Sequence, residues 1–63
     1  MSKKEFIKTF EYTLQNADIG VISLELLNDN YVEITYKGGR KRKVNIECDS
    51  YRAIMIDILR YCD

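Results

Sequence analysis

The chain predicts a small α+β domain of αβββα order: a three-stranded antiparallel meander with two helices packed on one face. Three observations predict it. The hydrophobic period is near 3.6 at both ends of the chain, it changes to two in the middle, and turn residues at 28–30 and at Gly38-Gly39 cut the alternating stretch twice. Helices flanking a sheet that is apolar on one side bury most surface when both cover that side. Sixty-three residues make one domain, spanning 1–63. That length is near the lower limit for a self-sufficient core, so self-association to a homodimer is one expectation.

Helix 1 should open at Ser2, because Ser2 and Glu5 form the capping-box pattern in which each side chain satisfies the other's backbone N–H. At about 100° per residue, Phe6, Ile7, Phe10, Leu14 and Ala17 share a stripe, with Lys3, Lys8, Tyr12, Gln15 and Asn16 off it. From Ile19 the alternation puts Ile22, Leu24 and Leu26 on one face of strand 1 and Val21, Ser23, Glu25 and Leu27 on the other. The Asn-Asp-Asn turn tolerates left-handed backbone. A three-residue turn there sets Leu26 opposite Val32, Leu24 opposite Ile34 and Ile22 opposite Tyr36.

The second hairpin is harder to register. A two-residue Gly38-Gly39 turn would put Ile34 opposite Lys43 and send the apolar residues of strand 3 to the wrong face. Looping out residues 38–40 instead pairs Ile34 with Val44 and Val32 with Ile46, although it leaves Arg40 where glycine is preferred. Asp49 or Ser50 then caps helix 2, whose apolar arc contains Tyr51, Ile54, Met55, Ile58, Leu59, Tyr61 and Cys62.

Composition narrows the chemistry. Ten basic and ten acidic side chains cancel, so an electrostatic partner must be read by local clustering rather than by a global field. Histidine is absent, which removes the commonest general base and metal ligand, and no P-loop, dinucleotide or zinc spacing is present. The expectation is a protein that is not an enzyme and binds no cofactor or metal. Cys48 and Cys62 have no CxxC spacing, and a helix over 50–62 would separate them by roughly 20 Å, too far for a disulfide. Free thiols, no leader pattern and no long apolar run point to a soluble cytoplasmic protein with no membrane partner.

One stretch concentrates charge: Tyr-Lys-Gly-Gly-Arg-Lys-Arg-Lys-Val at 36–44. Glycine permits close backbone approach, and Arg40 and Arg42 can fork onto phosphate or carboxylate oxygens, with Lys37, Lys41 and Lys43 beside them. The alternative is a solvated Lys/Arg tip that protects a sheet edge from aggregation. On the expected register Lys41 and Lys43 lie on the open sheet face, Arg40 and Arg42 on the helix side. Glu25, Glu33 and Glu47 lie on the open face toward its other end, Glu25 opposite Glu33, which argues against a continuous nucleic-acid track. The apolar residues left uncovered, Val21, Leu27 and Tyr31 on the open face and Ile56 off the helix 2 stripe, suggest a partner surface.

The αβββα order resembles a double-stranded-RNA-binding domain, but helix 2 opens with Asp-Ser-Tyr-Arg-Ala at 49–53, without that family's lysine cluster, and its histidine-bearing loop is missing. Over its whole length, in size, lack of histidine and helix–meander–helix order, the chain is similar to small phage and mobile-element proteins, among them anti-CRISPR inhibitors of Cas9. That resemblance implies a non-enzymatic inhibitor or adaptor docking on a protein or nucleoprotein such as a CRISPR effector. Arg40 to Lys43 would meet nucleic acid or an acidic groove, with Tyr31 and Leu27 as apolar anchors. A small nucleic-acid-binding accessory protein and a structural homodimer are the other readings.

Overall fold

A computed structural model describes residues 2–47 and 50–62. The order is α1 (Lys3–Ala17), β1 (Val21–Leu27), β2 (Tyr31–Tyr36), β3 (Lys41–Asn45) and α2 (Tyr51–Arg60), with an antiparallel sheet ordered β1-β2-β3. Both arms of the capping box form at α1: Glu5 N–H donates to Ser2 Oγ at 3.1 Å and Ser2 N–H to Glu5 Oε1 at 3.2 Å. Of the two cap candidates for α2 it is Ser50 that acts, accepting from Ala53 N–H at 3.2 Å. The other, Asp49, lies outside the described residues, as does Cys48 and with it the separation of the two cysteines.

The first hairpin forms as its pattern predicts at two of three pairs, Leu24 with Ile34 and Leu26 with Val32. Asn28 and Asp29 take positive φ of 52° and 59°, and Asn30 N–H closes the turn on Leu27 O at 3.1 Å. Two successive left-handed residues match the twist of the strands they join. The third pair differs: Tyr36 faces Val21, because a β-bulge between Val21 and Ser23 leaves Ile22 without a partner. Val21 is therefore buried and Ile22 is 48% exposed, the reverse of simple alternation. The bulge turns the Ile22 carbonyl toward α1, where Gln15 Nε2 donates to it at 2.6 Å.

The second hairpin has a three-residue loop, but it is 37–39 rather than 38–40. Tyr36 N–H bonds Arg40 O at 2.7 Å, and the pairs are Ile34 with Arg42 and Val32 with Val44, two residues from the expected register. Gly38 and Gly39 then occupy positive φ, 101° and 93°, and Arg40 escapes the position that requires glycine. A slip of two keeps every side chain on its own face.

Each element supplies two residues to one core: Ile7 and Leu14 from α1, Val21 and Leu24 from β1, Val32 and Ile34 from β2, Ile54 and Ile58 from α2, and Val44 with the following Ile46 from the third arm. Both helices therefore lie on one side of the sheet. Phe6 stacks on Tyr51 (centroids 4.6 Å apart), Lys3 Nζ reaches Asp29 O at 3.0 Å, and Tyr36 OH donates to Tyr61 O at 2.7 Å. The two helices thus start at the 28–30 end, and α2 finishes beside the 37–39 hairpin. Two expected stripes are narrower than drawn, since Ala17 and Leu59 are exposed.

Candidate docking surface at the basic hairpin

The 37–39 loop and β3 carry Lys37, Arg40, Lys41, Arg42 and Lys43, all exposed. Alternation along β3 divides them. On the helix side, Arg42 lies over the Tyr61 ring with Cζ 4.1 Å from the centroid, and Arg40 lies over Tyr36 at 5.7 Å. These four residues and Lys41 line a small open cleft of about 240 Å³. The C-terminal end of α2 is here, and its carbonyl dipoles favour nearby cations.

On the open side, Lys43 Nζ sits 5.9 Å from the centre of the Tyr31 ring and Lys41 Nζ 3.9 Å from Glu33 Oε1. The shifted register sets Lys43 directly opposite Glu33, which itself faces Glu25. The expected separation of lysines from carboxylates along this face is accordingly smaller than the sequence suggested. Lys41 with Glu33 is the one ion pair within 4.0 Å among the described residues, so no described carboxylate lies that close to Lys37, Arg40, Arg42 or Lys43.

The expected apolar contributors are not all in one place. Leu27 pairs with Tyr31 at the far end of the sheet, Leu27 half-buried and Tyr31 37% exposed, and Lys43 links this pair to the basic strand. Ile56 is 46% exposed but belongs to α2, in the helical layer, so the open sheet face does not include it. Sequence reasoning missed Tyr61 and Tyr36 as the rings that hold the two arginines. By periodicity Tyr61 belongs to the core arc of helix 2, and only the packing of α2's end beside β3 reveals its contact with Arg42.

The two sheet edges differ. Along β1, Leu24 N–H donates to Glu11 Oε2 at 2.9 Å and Ile22 O accepts from Gln15, so α1 occupies that edge. An open groove of about 440 Å³ remains there between α1 and β1, with Lys4, Lys8 and Glu11 among its lining. Among the described residues no cluster of three His, Cys, Asp or Glu side chains could hold a metal ion, and no helix is long and apolar enough to cross a membrane. No family model, curated protein or solved structure matches the chain.

Proposed function

We propose that this is a non-enzymatic binding protein, an inhibitor or adaptor that docks on a protein or nucleoprotein complex through the basic strand and hairpin of residues 37–43. The observation that carries the reading is the set of four cations that form no ion pair within 4.0 Å among the described residues, three of them lying over tyrosine rings. A guanidinium already held by a ring loses less conformational freedom on binding an oxyanion, and its fork suits carboxylate or phosphate. Tyr31 and Leu27 extend the surface with apolar area on the open face. In size and element order the chain fits a phage or mobile-element protein acting in counter-defence, with a CRISPR effector such as Cas9 as one target.

Charge reversal tests this. Arg40→Glu, Lys41→Glu, Arg42→Glu and Lys43→Glu together should abolish capture of the partner from host lysate while the fold persists by circular dichroism. Capture undiminished by the reversal would overturn the proposal. Nuclease treatment of the captured complex separates a protein contact from a nucleic-acid one, and contact with three or four phosphates would give a log affinity against log salt slope of about −3. Addition of the purified protein to a Cas9 cleavage reaction tests the counter-defence target directly.

A further inference from the structure

The free edge of β3 is the feature that the basic hairpin alone does not account for. Hydrogen-bonded pairs alternate along an antiparallel ladder. At one end Tyr36 N–H bonds Arg40 O, and at the other Ile46 N–H bonds Asn30 O at 2.8 Å, so Arg40, Arg42, Val44 and Ile46 face β2. Lys41, Lys43 and Asn45 consequently aim their N–H and C=O groups away from the sheet. Among the described residues these backbone groups have no partner, whereas α1 satisfies the corresponding groups of β1 at Leu24 and Ile22.

We infer that the β3 edge accepts an extended acidic peptide segment as a fourth strand, so that docking through the basic strand is strand addition; this rests on the reading of that strand as a docking surface. Charge selects the occupant. A segment laid along the edge alternates its side chains between the two faces, and the edge is basic on both: Lys41 and Lys43 on the open side, Arg42 on the helix side. Glutamates at alternate positions meet cations whichever way the segment faces. A second copy of this chain is disfavoured, because antiparallel pairing of β3 with itself sets lysine against lysine. The lysines thus block self-pairing, as edge cations do, and attract the opposite charge. Nucleic acid offers the charge but no ladder of N–H and C=O groups.

The test separates the ladder from the charge. Two synthetic octapeptides, (Glu-Thr)4 and (Glu-Pro)4, carry the same charge, but in the second every other N–H is missing and proline fixes φ at about −65°, away from strand geometry, so it resists pairing in either register. Binding is read by fluorescence anisotropy at low salt, and the site by amide shifts. The Thr peptide should bind at least about tenfold tighter, about 1.4 kcal/mol, because a ladder to Lys41, Lys43 and Asn45 draws on N–H groups and strand dihedrals that the Pro peptide lacks. Its shifts should centre on Lys41 and Lys43. Chemical synthesis of the chain with N-methyl-Lys43, which keeps the charge, does not touch the β2 ladder and deletes one edge donor, should weaken the Thr peptide severalfold and leave the Pro peptide unchanged. Equal affinity for the two peptides, or tighter binding of an oligothymidylate with shifts confined to 37–40, overturns strand addition and leaves the basic docking surface standing. Failure of that surface is read separately, by partner capture that survives the charge reversal.

Discussion

The Arg42 guanidinium carbon lies 4.1 Å from the centre of the Tyr61 ring, which ties the outer strand to the residue that caps α2. Contacts of this kind are worth about 0.5–1 kcal/mol when exposed. Tyr61→Ala should lose that amount in urea unfolding, and Tyr61→Phe should lose little, because the ring face is retained. Both variants keep the Tyr36 hydroxyl bond, which uses Tyr61's backbone oxygen. An equal loss in the two variants would mean that the ring contributes nothing to Arg42.

Glu11 accepts the part-buried N–H of Leu24, so truncation leaves a donor of the β1 edge unpaired. Glu11→Ala should cost about 1 kcal/mol or more, with Glu11→Gln much closer to the parent because a carbonyl oxygen still reaches the donor. Combining Glu11→Ala with Gln15→Ala uncovers both capped groups of that edge. Sedimentation velocity of the double variant should show concentration-dependent association absent from the parent.

Asp29 holds a left-handed backbone, φ 59°, at the second central position of the first turn, where glycine carries no Cβ penalty. Asp29→Gly should raise stability by about 0.5–1 kcal/mol, since the relief of strain exceeds the added freedom of the unfolded chain. Lys3 loses nothing, because it bonds the backbone oxygen of Asp29. An unchanged or lower urea midpoint refutes this.

Ile54 and Ile56 are two residues apart and opposite in burial, 0% against 46% exposed. Ile54→Ala should cost about 2–5 kcal/mol, enough to unfold a large fraction of so small a domain. Ile56→Asp should stay within about 0.5 kcal/mol of the parent. A homodimer built on Ile56 would give a different result: the aspartate variant would sediment lighter than the parent.

Local signals were the most legible in the sequence. The Ser2 and Ser50 caps, the 28–30 turn and the lower two pairs of the first hairpin each depend on a few adjacent residues, and each forms where chemistry requires it. The bulge at Ile22 was not legible, because Val21 and Ile22 are equally apolar and only the docking of α1 through Gln15 decides between them. The second register failed for a related reason. A two-residue slip conserves the faces, so hydrophobic pattern is blind to it, and the deciding fact is that Gly38 and Gly39 both belong at positive φ. Of the candidate site, the cluster of cations was visible as a run of letters. Which ring holds which arginine, and which edge stays open, depends on long-range packing.

Among the described residues the interior is made of isoleucine, leucine and valine alone, with Phe6, Phe10 and Tyr36 packed only partly against it and Tyr31, Tyr51 and Tyr61 more exposed still. With no tryptophan in the chain, its ultraviolet chromophores are therefore all peripheral. Tyrosine emission and near-ultraviolet dichroism will report events at the rim, including occupation of the basic strand beside Tyr36 and Tyr61, while the methyl resonances of the aliphatic residues report integrity of the interior. A titration that quenches the first and leaves the second unmoved would be the spectroscopic signature of docking without unfolding.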